Sequence, residues 1–315
     1  MPEHERLRTE ISGIELRSPV LLAAGTAGTL DEMAGVLDLG SIGGVVTKSI
    51  TRDERTGNPH PRITWTRAGM LNAIGLANPG LERWEREIAP RVREVPTTVI
   101  GSIAGDSAED YAAVARAMDA CEGLDLAELN VSCPNVHSGL EFGADPGALR
   151  SLVSGVGEAA PSLGLIVKLS PIVTGSPHSI VDLARTAIDA GAAALTLCNT
   201  VPAMGIDVNT RRPVLANTTG GLSGPAIHPI VTRLIHLVYR GVARDARVPI
   251  IGAGGITRWE DAAAFILAGA SAVQIGAGTY ADPAIPRRVT RGLVRWTRSQ
   301  GAASITDLVG RIETD

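Results

Sequence analysis

Short runs rich in Val, Ile, Leu and Ala recur along the chain, each ending at Gly, Asn, Ser, Thr or Lys. Between them lie segments whose apolar residues fall three and four apart, the spacing of helices that bury one face. The runs at 20–24, 44–47, 97–103, 126–132, 165–170, 194–199, 249–253 and 272–276 read as strands. The segments at 108–120, 146–160, 180–190 and 261–268 read as helices. Ser107 with Asp110, and Thr257 with Glu260, have the spacing of capping boxes at two helix starts. Eight strands alternating with helices predict an α/β fold, a (β/α)8 TIM barrel occupying residues 1–315 as one domain, with insertions at its C-terminal face. An open doubly wound sheet is the alternative, but Gly25-Thr-Ala-Gly28-Thr after the first strand lacks the GxGxxG spacing of a dinucleotide site. The connections 48–96 and 200–248 exceed a simple loop and leave from the end of the barrel where chemistry sits, so they are expected to cover a substrate.

Composition narrows the function without naming it. Among 315 residues, 29 basic and 33 acidic side chains leave a net charge of −4 with no long block of one sign, which argues against a polyanion binder. Aromatic residues make only 3%, too few for a base-stacking nucleic-acid platform. No apolar stretch suggests a signal or a membrane span, so a cytoplasmic protein without membrane attachment is expected. Cys121, Cys133 and Cys198 match neither a disulfide framework nor a metal or iron–sulfur ligand set. The histidines lack HxH or HExxH spacing, so no metal is expected.

Candidate chemistry gathers at the strand ends. Gly252-Ala-Gly254-Gly255-Ile-Thr257 follows the seventh strand and Gly276-Ala-Gly278-Thr279 the eighth, a pair of glycine-rich turns that can offer backbone N–H groups to a phosphate. The helix capped at Thr257 and a short helix after Thr279 would add their positive ends. Flavin mononucleotide, a sugar phosphate or pyridoxal phosphate could each be held so. The small residues Ala23-Ala24-Gly25-Thr26 leave room for a flat ring. Lys48 and Lys168 each interrupt an apolar run and would point into the mouth, where a ligand could partner them. The fourth strand delivers Asn130, Cys133 and Asn135, and the thiol is the group here best suited to exchange a proton. The segment 136–143 that follows looks like a mobile lid. With Asn72, Asn78, Asn199 and Thr200, several amides suit a planar ring of alternating N–H and C=O groups, such as a pyrimidine.

Those residues resemble the dihydroorotate dehydrogenases over roughly residues 8 to 295. Asn130-Val-Ser-Cys133-Pro-Asn135 is similar to the family's catalytic strand, and the cysteine points to class 1. Thr47-Lys48-Ser49-Ile50-Thr51, Asn72-Ala73-Ile74-Gly75-Leu76 and Thr219-Gly-Gly-Leu-Ser-Gly224-Pro-Ala resemble the B type more than the fumarate-using A type. The resemblance implies oxidation of dihydroorotate to orotate in pyrimidine biosynthesis, with Cys133 as base and FMN as hydride acceptor. It implies FMN contacts at Ala24, Gly25, Thr47, Lys48, Ser102, Asn130, Lys168, Cys198, Gly224, Gly254, Gly255, Gly278 and Thr279. Substrate contacts are implied at Lys48, Asn72, Ala73, Ile74, Gly75, Leu76, Asn130, Asn135, Asn199 and Thr200. It also implies a homodimer core joined by a subunit carrying FAD and a [2Fe–2S] cluster, a heterotetramer passing electrons to NAD+. Ser102 stands where the family often has asparagine, and Cys198 where it usually has an aliphatic residue, which favours packing over redox chemistry there. Rival readings are a flavin barrel acting on another pyrimidine, as in dihydropyrimidine dehydrogenase, a fumarate-linked enzyme, a flavin-free lyase or isomerase using Lys168 as a Schiff base, and a non-catalytic binding barrel.

Overall fold

The computed structural model describes residues 3–132, 142–172 and 177–313. Its eight parallel strands are β1 (Val20–Leu22), β2 (Gly44–Ile50), β3 (Thr98–Ile103), β4 (Leu126–Asn130), β5 (Gly164–Leu169), β6 (Ala194–Leu197), β7 (Ile250–Ala253) and β8 (Ala272–Ile275). They hydrogen-bond in chain order, and β8 pairs with β1 to close a barrel. Strands buried on both faces read as continuous apolar runs, which is why sequence pattern located all eight. The helices α1 (Ala108–Asp119), α2 (Pro146–Ala159), α3 (Ile180–Asp189), α4 (His228–Val238), α5 (Trp259–Ala268) and α6 (Ile285–Ser299) surround it.

The helix starts hold one correction. Ser107 and Asp110 form the expected reciprocal cap on α1. At α5 the reciprocating residue is Asp261 and not Glu260: its Oδ2 accepts from the Thr257 N–H, the Thr257 hydroxyl and the Arg258 N–H at 2.9, 3.0 and 3.1 Å.

The barrel interior is built in layers. Leu21, Val46, Ile100, Leu126, Ile166, Ala194, Ile251 and Ala272, one from each strand, form a buried apolar cluster with Ile11 and Leu16. The last two belong to an N-terminal hairpin, Thr9–Ile11 paired with Ile14–Leu16, that seals this end. Side chains two residues apart share a face, so the next layer toward the strand ends comprises Ala23, Lys48, Ser102, Glu128, Lys168, Thr196, Ala253 and Gln274. Here the interior turns polar. An irregularity in the β2–β3 register between Val46 and Ser49 falls where Lys48 meets this layer.

The two long connections do not act as loops alone. Each contributes a pair of strands to one antiparallel sheet, in the order Val201–Ala203, Gly220–Ser223, Gly69–Asn72, Ile63–Thr66. Gly221 sits opposite Asn72 across this sheet. A Cβ at Gly221 would lie 1.8 Å from the Thr200 hydroxyl, so only glycine fits. Each connection then ends in barrel-wall structure, a helical stretch over 80–94 and α4 respectively. They are therefore part cover and part wall, not covers throughout.

Candidate active site

The strand ends and the added sheet enclose a cavity of about 690 Å3. Its size falls within the range of small-molecule sites. Among the residues expected from sequence, Ala24, Gly25, Lys48, Asn130, Lys168, Cys198, Gly224, Gly254, Gly255 and Gly278 line it, as do Asn72, Ile74, Gly75, Leu76, Asn199 and Thr200. Residues from β2, β4 and β5 and those just after β6 thus meet in one space.

Its floor is a charged hub. Glu128 is fully buried on β4, and its two oxygens accept three side-chain donors. Lys168 Nζ donates to Oε1 at 3.1 Å, while Thr196 Oγ1 and Gln274 Nε2 donate to Oε2 at 2.8 and 2.6 Å. A buried carboxylate is tolerated because both oxygens accept hydrogen bonds, one of them from an ammonium. Lys168, 8% exposed, is thereby held by protein rather than by a ligand alone. Lys48 differs. It has no carboxylate partner among the described residues, and burial pushes its ammonium below the ordinary lysine range. Gln274 lies 1% exposed, and among the described residues its Oε1 has no hydrogen-bond partner.

Above the floor the amides interlock. Asn199 Nδ2 donates to Asn130 Oδ1 at 3.2 Å and to the Ser132 hydroxyl at 3.0 Å, and the Thr200 N–H donates to Asn199 Oδ1 at 2.8 Å. Tyr111 on α1 donates its hydroxyl to the Asn130 carbonyl at 2.5 Å, bracing the strand end from behind. Such bonds fix which way each amide faces. Cys198 borders the same space but is only 3% exposed. Burial pushes its thiol up to about 12, against a smaller pull from Lys168, so it stays neutral at pH 7.

The glycine turns line the opposite end. Gly254, Gly255, Ile256, Gly276 and Ala277 all border the cavity, and among the described residues their N–H groups have no protein acceptor. Five uncommitted donors on adjacent turns make a nest for an anion. The Thr257 and Arg258 N–H groups, by contrast, are taken by Asp261, so the start of α5 caps itself and adds less to the nest than expected.

Four expected contacts do not line the cavity. Thr47 is fully buried, and its Oγ1 accepts from the Ser102 N–H at 2.9 Å. Ser102 is fully buried too, and its hydroxyl bonds that of Ser49 at 2.8 Å; of this pair it is Ser49 that borders the cavity. Thr279 directs both its N–H and its hydroxyl to the Gly276 carbonyl, at 2.9 Å each, and lies inside the four-residue helix Gly278–Ala281 rather than before it. Ala73 borders no part of the cavity; its N–H is bonded to the Arg62 carbonyl. Cys133 and Asn135 lie outside the described residues, as does most of the expected lid. Ser132, the residue before Cys133, borders the cavity.

The family model described as dihydroorotate dehydrogenase matches residues 6–296. The chain belongs to the dihydroorotate dehydrogenase family. It is 44% identical over 308 residues to the dihydroorotate dehydrogenase B (NAD+) catalytic subunit of Trichlorobacter lovleyi, covering 98% of both chains. The corresponding subunit of Pelobacter propionicus is 45% identical, again over 98% of each. A relative from Aquifex aeolicus, provisionally named as the A (fumarate) enzyme, is 43% identical over 96% of this chain and 97% of its own. B-type and A-type names therefore occur at nearly equal distance within the family.

Several residues of the cavity are not among those expected from sequence. Glu128 and Gln274 interrupt apolar runs as plainly as the two lysines do, and the same signal could have found them. Arg55, Asn58, Met70, Asn217 and Tyr280 also border the cavity but carry no local pattern. Arg55 is ion-paired to Asp106. No helix among the described residues is long and apolar enough to cross a membrane.

Proposed function

We propose that this chain is the catalytic subunit of a cytoplasmic, NAD+-linked dihydroorotate dehydrogenase, one FMN-binding domain over residues 1–315 that oxidises dihydroorotate to orotate. The single observation carrying this reading is the cavity itself, with an anion nest at one end and Lys48, Lys168, Asn72, Asn130 and Asn199 at the other. The fit to FMN rests on the five uncommitted N–H groups, which suit its phosphate, and on the small wall at Ala23, Ala24 and Gly25, which suits a flat ring. Gly224, Gly254, Gly255 and Gly278 would keep the backbone close to that cofactor. Bound FMN would supply a hydride acceptor beside the substrate.

The chain's own groups would do the rest. Cys133, as thiolate, would take the proton from C5 of dihydroorotate, and bound FMN would supply the acceptor for the C6 hydride, so that the C5=C6 double bond of orotate remains. Lys48, with no carboxylate of its own, is free to meet the substrate's negative charge. Asn72, Asn130, Asn199 and Thr200 hold the ring by its alternating donors and acceptors, with Ile74, Gly75 and Leu76 packing over it and Asn135 close by. Electrons would leave through a partner subunit bearing FAD and a [2Fe–2S] cluster, on a homodimer of this chain. The relatives named as catalytic subunits support a partner. The Aquifex relative favours a second reading, a chain that uses fumarate unaided.

Anaerobic mixing with dihydroorotate, followed by flavin absorbance, tests the reaction. Bleaching is expected in the unaltered protein and a slowing on the order of 100-fold in Cys133→Ser near neutral pH. Equal rates would refute the base assignment, and bleaching by dihydrouracil alone would move the substrate to another pyrimidine. Full turnover on fumarate by the isolated chain would replace NAD+ as oxidant.

A further inference from the structure

Among the described residues, Gln274 is a buried side chain of the cavity with an unspent polar atom, and the reason lies in its neighbour. Glu128 accepts at both oxygens, and Oε2 already accepts a hydrogen bond from the Thr196 hydroxyl. The end of the Gln274 amide that faces it at 2.6 Å must therefore be the NH2. That leaves Oε1 turned away from Glu128, 1% exposed in its residue and without a partner, on a side chain that borders the cavity. A buried carbonyl oxygen left unsatisfied is costly, and it calls for an N–H donor.

Glu128 sets two groups side by side. One oxygen holds the Lys168 ammonium, a donor, and the other orients the Gln274 carbonyl, an acceptor. A donor beside an acceptor matches a ring edge carrying C=O next to N–H. We infer that Gln274 is a cofactor-binding residue whose Oε1 accepts the N3–H of the flavin ring while Lys168 faces the adjoining carbonyl, with Glu128 as the positioning residue for both. This deepens the reading of the cavity as a flavin site and rests on it. The pyrimidine substrate has a similar edge, so the same chemistry could come from there. Gln274 lies two residues before Gly276, whose N–H belongs to the anion nest on the same strand end, and this favours the cofactor.

Apo-protein titrated with FMN and with 3-methyl-FMN, by quenching of flavin fluorescence, tests the assignment. The unaltered chain should prefer FMN by more than about ten-fold, Gln274→Leu should bind FMN about ten-fold more weakly, and the preference should fall below about three-fold in that variant. Equal weakening of both flavins by the substitution would make Gln274 merely structural and overturn the inference. Orotate titrated into the FMN-loaded variant reads the alternative: weaker orotate binding with the affinities for FMN and 3-methyl-FMN both unchanged would reassign the contact to substrate and overturn the inference. Should Gln274→Leu fail to fold, 15N-labelled FMN in the unaltered chain still decides: an N3–H proton protected from exchange is expected, and one exchanging freely with solvent overturns the inference. Absence of any flavin binding would sink the cofactor reading as well, whereas tight FMN binding with no N3 preference would sink this inference alone.

Discussion

The lower layer of the barrel interior is made of side chains that need only one another, whereas the layer two residues higher is made of groups that fail singly. Leu126, Ile166, Ala194 and Ala272 pack in a sealed apolar cluster. Directly above them on the same strands stand Glu128, Lys168, Thr196 and Gln274, joined through one carboxylate. Losing a methyl group below leaves a smaller cavity; losing a partner above leaves a buried charge or donor without an acceptor. The contrast teaches that this scaffold turns from stability to binding within one pleat, and that the transition is itself buried.

The largest way to break the comparison is Glu128→Leu, which leaves the Lys168 ammonium and two donors unmatched. It should cost about 3–5 kcal/mol in urea unfolding of the apo-protein. A cost below about 1 kcal/mol would mean the upper layer is not interdependent. Leu126→Ala, two residues below, should cost about 3 kcal/mol and leave the flavin affinity of the folded protein within about two-fold. A collapse of flavin affinity there would blur the two layers.

Thr196→Val removes one of the three donors and should cost about 1–2 kcal/mol, because Lys168 and Gln274 still satisfy Glu128. Lys48→Met should shift apo-protein stability least, by about 0.5 kcal/mol or less at neutral pH, since it takes away a partly desolvated charge with no carboxylate to strand. Lys48 has a folded pKa below the ordinary lysine value of 10.5. The folded chain therefore releases this proton before the unfolded chain does, and stability contributed by Lys48 rises with pH from the lowered value toward the ordinary one. Urea titrations carried from neutral pH up to the ordinary lysine value should show that rise in the unaltered protein and its loss in Lys48→Met. Orotate affinity should move the opposite way, weakening over the same interval as the charge disappears.

Much of the barrel was legible in the residues because its physics is local. A strand buried on both faces must be apolar along its length, and a helix packed on it must repeat at three and four, so both leave a mark within ten or fifteen residues. The overlooked helix α6 bears that mark too, with Ile285, Val289 and Leu293 buried at intervals of four. The covering sheet left none. Its central pairing joins Asn72 to Gly221, and neither short segment has a repeat long enough to announce a strand. The candidate site divides the same way: the lysines and amides stand out as polar residues in apolar runs, but Thr47, Ser102 and Thr279, near the right strand ends, have their polar atoms already used by the backbone and by neighbouring strands.

The order of residues alone thus determined the eight strands, their parallel alternation with helices and the polar intrusions at the strand ends, since each follows from burial and periodicity over a few neighbours. Only the closed barrel decided which of those polar groups share a carboxylate, which N–H groups remain unspent and which hydroxyls face inward. Those outcomes depend on partners 40 to 146 positions away in the chain, and a hydrogen bond is decided by where its acceptor lies in space.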